Sequence, residues 1–146
     1  MLCISKTHLK ALEAVSEKAW PLEACALLEG TRRRLSGNLV VNVTQIHFAD
    51  NVADRPNIEF EVDPKVLFRV HRTLRGAPTS LVGVWHSHPD GSETLSETDR
   101  ERIRDPEYIW LLTPVVNSKA TGTFGFEVKK DKDSMIFINL AVESHL

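Results

Sequence analysis

The segment His86-Ser87-His88-Pro89-Asp90-Gly91-Ser92-Glu93-Thr94-Leu95-Ser96-Glu97-Thr98-Asp99 sets two histidines one residue apart, then a serine and an aspartate, in the pattern H-x-H-x7-S-x2-D. Imidazole nitrogens and a carboxylate oxygen are zinc donors. Three protein donors leave the fourth position of a tetrahedral ion open to water, as a hydrolase requires. Each half of the pattern has a plainer use: H-x-H occurs on exposed strands, and Ser-x-x-Asp is close to a capping box that needs no metal. The combined spacing points to one zinc ion per chain, held by His86, His88 and Asp99.

The flanking sequence supplies elements that could position these groups. Leu81-Val82-Gly83-Val84-Trp85 is a short apolar run with β-branched residues, preceded by Gly76, Pro78 and Ser80; it reads as a buried strand. If that strand continues to His88, alternation puts His86 and His88 on one face and Ser87 on the other. Pro89 to Ser92 is turn chemistry. A helix is expected from Ser96 as N-cap through about Arg104, with Asp99 in its first turn facing back toward the loop.

Hydrolysis also needs a group to take the water's proton, and a carboxylate is the usual choice. Glu23, in Trp20-Pro21-Leu22-Glu23-Ala24-Cys25-Ala26-Leu27-Leu28-Glu29-Gly30, leads a small apolar strand, Ala24 to Leu28. Burial there raises a carboxyl pKa, whereas a nearby zinc lowers it. By itself Glu23 reads equally as a surface acid at a strand edge.

With both stretches in view, the chain resembles the JAB/MPN-domain metallopeptidases of the JAMM (MPN-plus) kind, of the small prokaryotic type, which pair an upstream glutamate with H-x-H-x7-S-x2-D. The P-x-E-A-C-x-L-L-x-G stretch around Glu23, Phe48-Ala49-Asp50-Asn51-Val52, Phe60-Glu61-Val62-Asp63-Pro64 and Gly83 to Pro89 are similar to those members. The resemblance runs from about Leu2 to about Val128. It implies that His86, His88 and Asp99 bind zinc, that Glu23 is the acid/base, and that Ser96 donates to the oxyanion of a tetrahedral intermediate. One hydroxyl proton cannot serve two acceptors, so Ser96 faces a conflict between capping and catalysis. The resemblance further implies a cytidine-deaminase-like fold and cleavage after the extended C-terminal tail of a ubiquitin-like or sulfur-carrier protein. It does not choose between deconjugation of proteins, sulfur-carrier processing and regulation of a bacterial conjugation system, nor does it fix the oligomeric state. Ala26 and Glu29 depart from the family pattern at positions that touch no expected ligand.

Two other classes compete. A non-catalytic MPN scaffold would use the same fold for binding alone, but such members usually lack a motif residue, and all five are present here. A zinc deaminase of related fold would need a C-x-x-C pair, which this chain lacks.

The rest of the 146-residue sequence is ordinary for one soluble domain covering residues 1–146: 42% hydrophobic, 26% charged, net charge −2. Nothing marks a nucleic-acid partner; Arg32-Arg33-Arg34 is expected in a solvated hairpin turn. No apolar run is long enough to span a membrane and nothing resembles a signal peptide, so a cytoplasmic protein without membrane attachment is expected. Cys3 and Cys25, the two cysteines, are expected as buried free thiols. His8 and His71 read as surface or boundary residues; His47 precedes a loop that could border the site. Periodicity predicts an edge strand at Leu2–Ile4 and a helix from Thr7 to Trp20 with Leu9, Leu12, Val15, Ser16 and Ala19 on one face. Further strands are predicted at Leu39–Phe48, Ile58–Val62 (half-exposed), Tyr108–Thr113, Gly122–Lys129 and Met135–Leu140. A second helix should run from the Asp63-Pro64 cap to about Arg75. The sum is an α/β domain, a curved mixed sheet flanked by helices.

Overall fold

The computed structural model describes residues 1–103 and 105–146. Three helices, α1 (Lys6–Ala19), α2 (Pro64–Thr73) and α3 (Glu97–Glu101), accompany nine strands among these residues. The strands are β1 (Leu2–Ser5), β2 (Cys25–Leu35), β3 (Asn38–Ala49), β4 (Ser80–His88), β5 (Ile109–Val116), β6 (Lys119–Ala120), β7 (Phe124–Asp131), β8 (Ser134–Leu140) and β9 (Val142–His145). They form one sheet in the order β8-β7-β5-β4-β2-β3-β1-β9, with β6 on β5. Pairing is mixed: β1/β3, β1/β9 and β4/β5 are parallel and the other pairs antiparallel. The two ends of the path, β8 and β9, are joined by Ala141 alone, so the sheet is curled.

Two apolar layers hold the sheet. Leu12, Trp85, Val41, Leu111 and their neighbours form one, against which Leu9, Val15 and Ala19 of α1 pack. The expected stripe of α1 is therefore the face that meets the sheet. Ser5 caps this helix by accepting from the His8 amide, 3.1 Å, so it starts at Lys6 rather than Thr7. Phe60, Leu95, Ile103, Trp110, Leu112 and Phe126 form the second layer, on the side that carries the histidines. Strands β4 and β5 meet at their closest where Gly83 faces Ile109: a Cβ on Gly83 would collide with the Ile109 carbonyl oxygen and sit 2.8 Å from Ile109 Cγ1.

Several expectations need correction. Arg32–Arg34 lie within β2; the turn to β3 is Ser36-Gly37, both at positive φ, inside the Leu35-Ser36-Gly37-Asn38 turn that the sequence predicts. Arg32 pairs with Glu107 at 3.3 Å and Arg34 with Glu127 at 2.8 Å, which holds the arginines in the strand. β1 is not an edge strand, because β9, a short strand with no periodic signal of its own, covers its other side. Residues 58–62 form no strand beyond the Asn51–Val62 bridge. Within that stretch Phe60 is buried and Glu61 exposed as expected, but Ile58 is exposed and Glu59 buried, because Arg102 holds Glu59 at 3.1 Å. α3 stops at Glu101 with Arg102 as C-cap; Arg104 lies outside the described residues. Cys25 is buried, but Cys3 is only half-buried. No helix among the described residues is long and apolar enough to cross a membrane.

Candidate metal centre

Strand β4 delivers both histidines. It lies between β2 and β5, with His86 opposite Cys25 on one side and Leu112 on the other. Alternation puts His86 and His88 on the same face, both buried. Ser87 points the other way, as expected: its Oγ accepts from the Ala24 amide at 2.8 Å, while its amide donates to the Ala24 carbonyl at 3.0 Å. This pair of bonds locks the residue after Glu23 to the residue between the histidines.

The start of α3 delivers Asp99. The Ser96 side chain accepts from the Asp99 amide at 3.0 Å, and Asp99 Oδ2 accepts from the Ser96 amide at 2.9 Å, a complete capping box. The box aims Asp99 inward. Oδ2 lies 3.1 Å from His86 Nε2 and 3.0 Å from His88 Nε2, and the two Nε2 atoms are 2.9 Å apart. Capping and a place in the cluster are thus not alternatives for this Ser-x-x-Asp; the capping box is what aims Asp99 Oδ2 at the two histidines.

Glu23 enters from the other side, just ahead of β2. Its amide donates to the Pro56 carbonyl at 2.7 Å, and its carbonyl accepts from Asn51 Nδ2 at 2.9 Å. One ligand atom from each of Glu23, His86, His88 and Asp99 lies within 4.8 Å of all the others, and all four residues are buried.

This donor set suits a cation. Three donors at 2.0–2.1 Å from a tetrahedral zinc would be about 3.3–3.4 Å from one another; the Nε2, Nε2 and Oδ2 atoms already stand 2.9 to 3.1 Å apart. A small contraction of the metal-bound triangle reproduces the observed one. His88 Nδ1 is 3.2 Å from the Ser92 carbonyl oxygen and 3.0 Å from its hydroxyl. Donation to that carbonyl keeps a proton on Nδ1, so that loss of the Nε2 proton now shared with Asp99 would leave the lone pair a metal ligand needs. Glu23 Oε1 and His86 Nδ1 are buried without a partner. An unpartnered carboxylate oxygen in such a place costs folding energy unless something polar joins it.

Electrostatics separate the two acids. Burial pushes the Glu23 carboxyl up to about 8, with the His88 charge pulling weakly against it. Burial also opposes charge on Asp99, but hydrogen bonds from His86 and His88 outweigh it and hold that carboxyl well below the usual range. Burial lowers His86. It acts on His88 too, yet the hydrogen bond to Asp99 and the charges of Asp99 and Glu23 keep that imidazole above its ordinary value. The group that stays ionised is the one aimed at the histidines; the group poised to exchange a proton near neutrality stands beside them.

Glu23 and His88 line a cleft of about 250 Å³, together with Asn57, Ile58, Pro89 and Ser96, among others. A larger hollow of about 540 Å³, bounded by Thr123–Phe126 and residues 139–142, holds no such cluster, so chemistry rather than size marks the site. Within the cleft the expected conflict at Ser96 dissolves. As a cap its Oγ accepts, using a lone pair, and the hydroxyl proton stays free to donate.

Support for the site comes from residues that carried no signature by themselves. Phe60 stacks on the His86 ring with centroids 4.5 Å apart, and Trp110 meets the same ring edge-on at 5.6 Å. Arg102 fixes Phe60 by donating to its carbonyl at 2.9 Å and to Glu59 at 3.1 Å. Asn51 spends its whole amide on the surrounding loop: Nδ2 donates to the Glu23 and Glu59 carbonyls, and Oδ1 accepts from the Ala53 and Glu61 amides. The only hint in the sequence was that Asn51 and Phe60 fall in stretches shared with the resembled family. His47 and Glu29 do not border the cleft. Glu29 pairs with Leu81, at the far end of β4 from His88, and its carboxylate holds His47 Nε2 at 2.8 Å and accepts from Thr79 Oγ1 at 2.7 Å. Cys25 does not join the cluster: its Sγ faces the Ala49 and Asp50 carbonyls at 3.7 Å, and burial pushes the thiol up to about 12.

Comparison with known proteins bears on the same region. Residues 5–126 match the family described as prokaryotic homologs of the JAB domain. The chain is 34% identical over 92 residues to a desampylase of Haloferax volcanii, a match covering 63% of this chain and 62% of that protein. It is 27% identical over 143 residues to a desampylase of Pyrococcus furiosus, covering 97% and 91%. A solved protein of Desulfitobacterium hafniense superposes with a TM-score of 0.76 at 24% identity, covering 100% of this chain and 95% of that one. One from Salinibacter ruber gives 0.63 at 21%, covering 96% and 90%. These two structural likenesses establish the curled α/β fold. With the fold matched end to end and the family match spanning both Glu23 and the His86–Asp99 motif, the chain belongs to the prokaryotic homologs of the JAB domain.

Proposed function

We propose that this chain is a zinc-dependent JAMM isopeptidase that hydrolyses the bond after the C-terminal tail of a ubiquitin-like or sulfur-carrier protein, with residues 1–146 working as one domain. The observation that carries the reading is the buried quartet of Glu23, His86, His88 and Asp99, of which Glu23 and His88 line a cleft. The desampylase relatives support the hydrolase class. In this reading His86 Nε2, His88 Nε2 and Asp99 Oδ2 hold the ion, one per chain. Zinc, when bound, acidifies a water and polarises the scissile carbonyl.

The remaining steps belong to the chain. Glu23 takes a proton from the attacking water as the oxygen–carbon bond forms, and gives it to the leaving amine as the carbon–nitrogen bond breaks. Burial raises its proton affinity and the neighbouring cation would lower it, the opposed pulls that such an exchange needs. Ser96 Oγ–H, left free by the capping geometry, donates to the oxyanion of the tetrahedral adduct. Ile58 and Pro89 wall the cleft, giving an extended tail an apolar border.

The test is the zinc content of purified protein, together with cleavage of a ubiquitin-like or sulfur-carrier protein fused through a Gly-Gly tail to a reporter. Glu23→Gln serves as the control. About one zinc per chain with Glu23-dependent cleavage is the expected result. Zinc without cleavage of either fusion would favour a scaffold, and no zinc would remove the reading altogether.

A further inference from the structure

The proposed reaction divides its work between two sides of the cluster. Helix α3 brings Ser96, the oxyanion donor, from one side, and the segment ahead of β2 brings Glu23, which gives its proton to the leaving amine, from the other. The departing group must therefore leave on the Glu23 side. Trp20, shortly ahead of Glu23 in the chain, belongs to that side. Its backbone closes α1, the amide donating to the Ser16 carbonyl at 3.2 Å, a task that needs no indole. The ring is engaged elsewhere: Nε1 donates at 3.3 Å to the carbonyl of Pro89, the residue after His88 and part of the cleft wall. Trp20 is nonetheless 41% exposed, and Ile58, another residue of that wall, is 50% exposed. Nothing in the fold covers these apolar surfaces beside the proposed general base.

The backbone around this exit has little hydrogen bonding left to offer. Pro89 has no N–H, and its carbonyl already accepts from Trp20. The Glu23 amide is spent on the Pro56 carbonyl and the Glu23 carbonyl on Asn51, while the Ile58 amide donates to the Arg55 carbonyl at 3.1 Å. The polar side chains of the lining, Asn57, Asp90 and Thr98, are open to any leaving group. A leaving chain joined through its α-nitrogen carries a carbonyl beside the departing atom, and would exchange water for apolar surface there. A lysine joined through its ε-nitrogen presents only methylenes over that distance. Rigid apolar rings such as those of Trp20 and Pro89 suit an alkyl stem packed flat against them.

We propose that Trp20 is a specificity-determining residue for the leaving group. Its indole, braced on Pro89, is the wall along which the alkyl stem of the departing lysine lies, so that ε-linked conjugates are preferred to α-linked fusions. This rests on the isopeptidase reading and deepens it. The ring carries the effect, and the Nε1 hydrogen bond sets where the ring stands.

The test uses the full chain, zinc-loaded, with the variants Trp20→Ala and Trp20→Phe. Circular dichroism and metal analysis check that fold and zinc content are kept. Two conjugates carry the same ubiquitin-like protein with a Gly-Gly tail. In one the tail is joined to the ε-amine of a lysine in a reporter peptide, in the other to the α-amine of a glycine that begins the reporter. Trp20→Ala should raise KM for the ε-linked conjugate about tenfold, the worth of roughly two buried methylene groups, and change the α-linked one less than about twofold. Trp20→Phe, which keeps a ring and drops the donor, should retain most of the preference. Equal losses on both conjugates, no loss on either, or a Phe variant as weak as Ala would overturn the proposal. Calorimetric binding of both conjugates to Glu23→Gln protein, with and without Trp20→Ala, separates the two readings. Tighter binding of the ε-linked conjugate that Trp20→Ala abolishes, in a chain whose wild type cleaves neither, would keep the wall and reject the isopeptidase. Cleavage with affinities indifferent to Trp20 would do the reverse, and equal binding without cleavage would overturn both.

Discussion

Replacing Glu23 by Gln should make the metal-free protein more stable at alkaline pH while removing its activity. The side chain is 5% exposed, with Oε1 buried and unpartnered. Burial raises its pKa from 4.5 to about 8. A group held by the fold at a raised pKa contributes its full stability below the unfolded value and loses it as pH climbs through the folded one. The wild-type protein should therefore weaken from about pH 4.5 to about pH 8. At about 1.4 kcal/mol per pKa unit, the loss at pH 9 is at most about 5 kcal/mol. Gln is neutral throughout and nearly the same shape, so it escapes that loss; His88, which the Glu23 charge helps hold above its ordinary value, gives back a smaller part of the difference. Urea denaturation after exhaustive chelation, run from pH 5 to pH 9, should show curves that coincide at the acid end. They should diverge by a few kcal/mol at the alkaline end, with Gln the more stable. Added zinc should shrink the divergence, because a cation beside Glu23 stabilises its charged form. A difference that does not change with pH, or a Gln variant weaker at pH 9, would refute the assignment of Glu23 as a desolvated carboxyl.

Three further outcomes follow from the same geometry. Asp99→Ala should abolish stoichiometric zinc in metal analysis and cost about 1 kcal/mol through the lost capping box; unchanged zinc would leave Asp99 only its capping role. Ser96→Ala should lower kcat by about 10²–10³-fold, as loss of an oxyanion donor does, and stability by about 1 kcal/mol. Full kcat with reduced stability would make Ser96 a cap alone. Gly83→Ala should destabilise by about 3 kcal/mol or more, because its methyl group meets the Ile109 backbone across β4/β5. A urea midpoint within error of wild type would show that these strands can part without penalty.

The site was legible because its spacing is local. His86 and His88 share a face through strand alternation, and Ser96 and Asp99 are brought together by one helical turn. The fold was legible where a stripe or a cap acts over a few residues, as on α1 and at Asp63-Pro64. Sequence reasoning failed where the deciding contact is distant. Glu59 alternates as a surface residue should, yet Arg102 pulls it inside. Arg32 and Arg34 look like a loop until Glu107 and Glu127 pair with them. Asn51 has no pattern at all; its role lies in four bonds to backbone groups that only the fold assembles. The inferred clash at Ser96 came from counting protons without knowing which way the hydrogen bond runs.

The placement of β1 between β3 and β9 bears on how the protein is made. Leu2 and Ile4 are fully buried, and Leu2 pairs with Val142. On a ribosome β1 emerges before β3, but the strand that closes its other flank comes after every other strand. Until Val142 to His145 follow, a nascent chain that already contains Glu23, His86, His88 and Asp99 still displays an open strand edge backed by Leu2 and Ile4. All four clustered residues are thus made before the second flank of β1 can be covered.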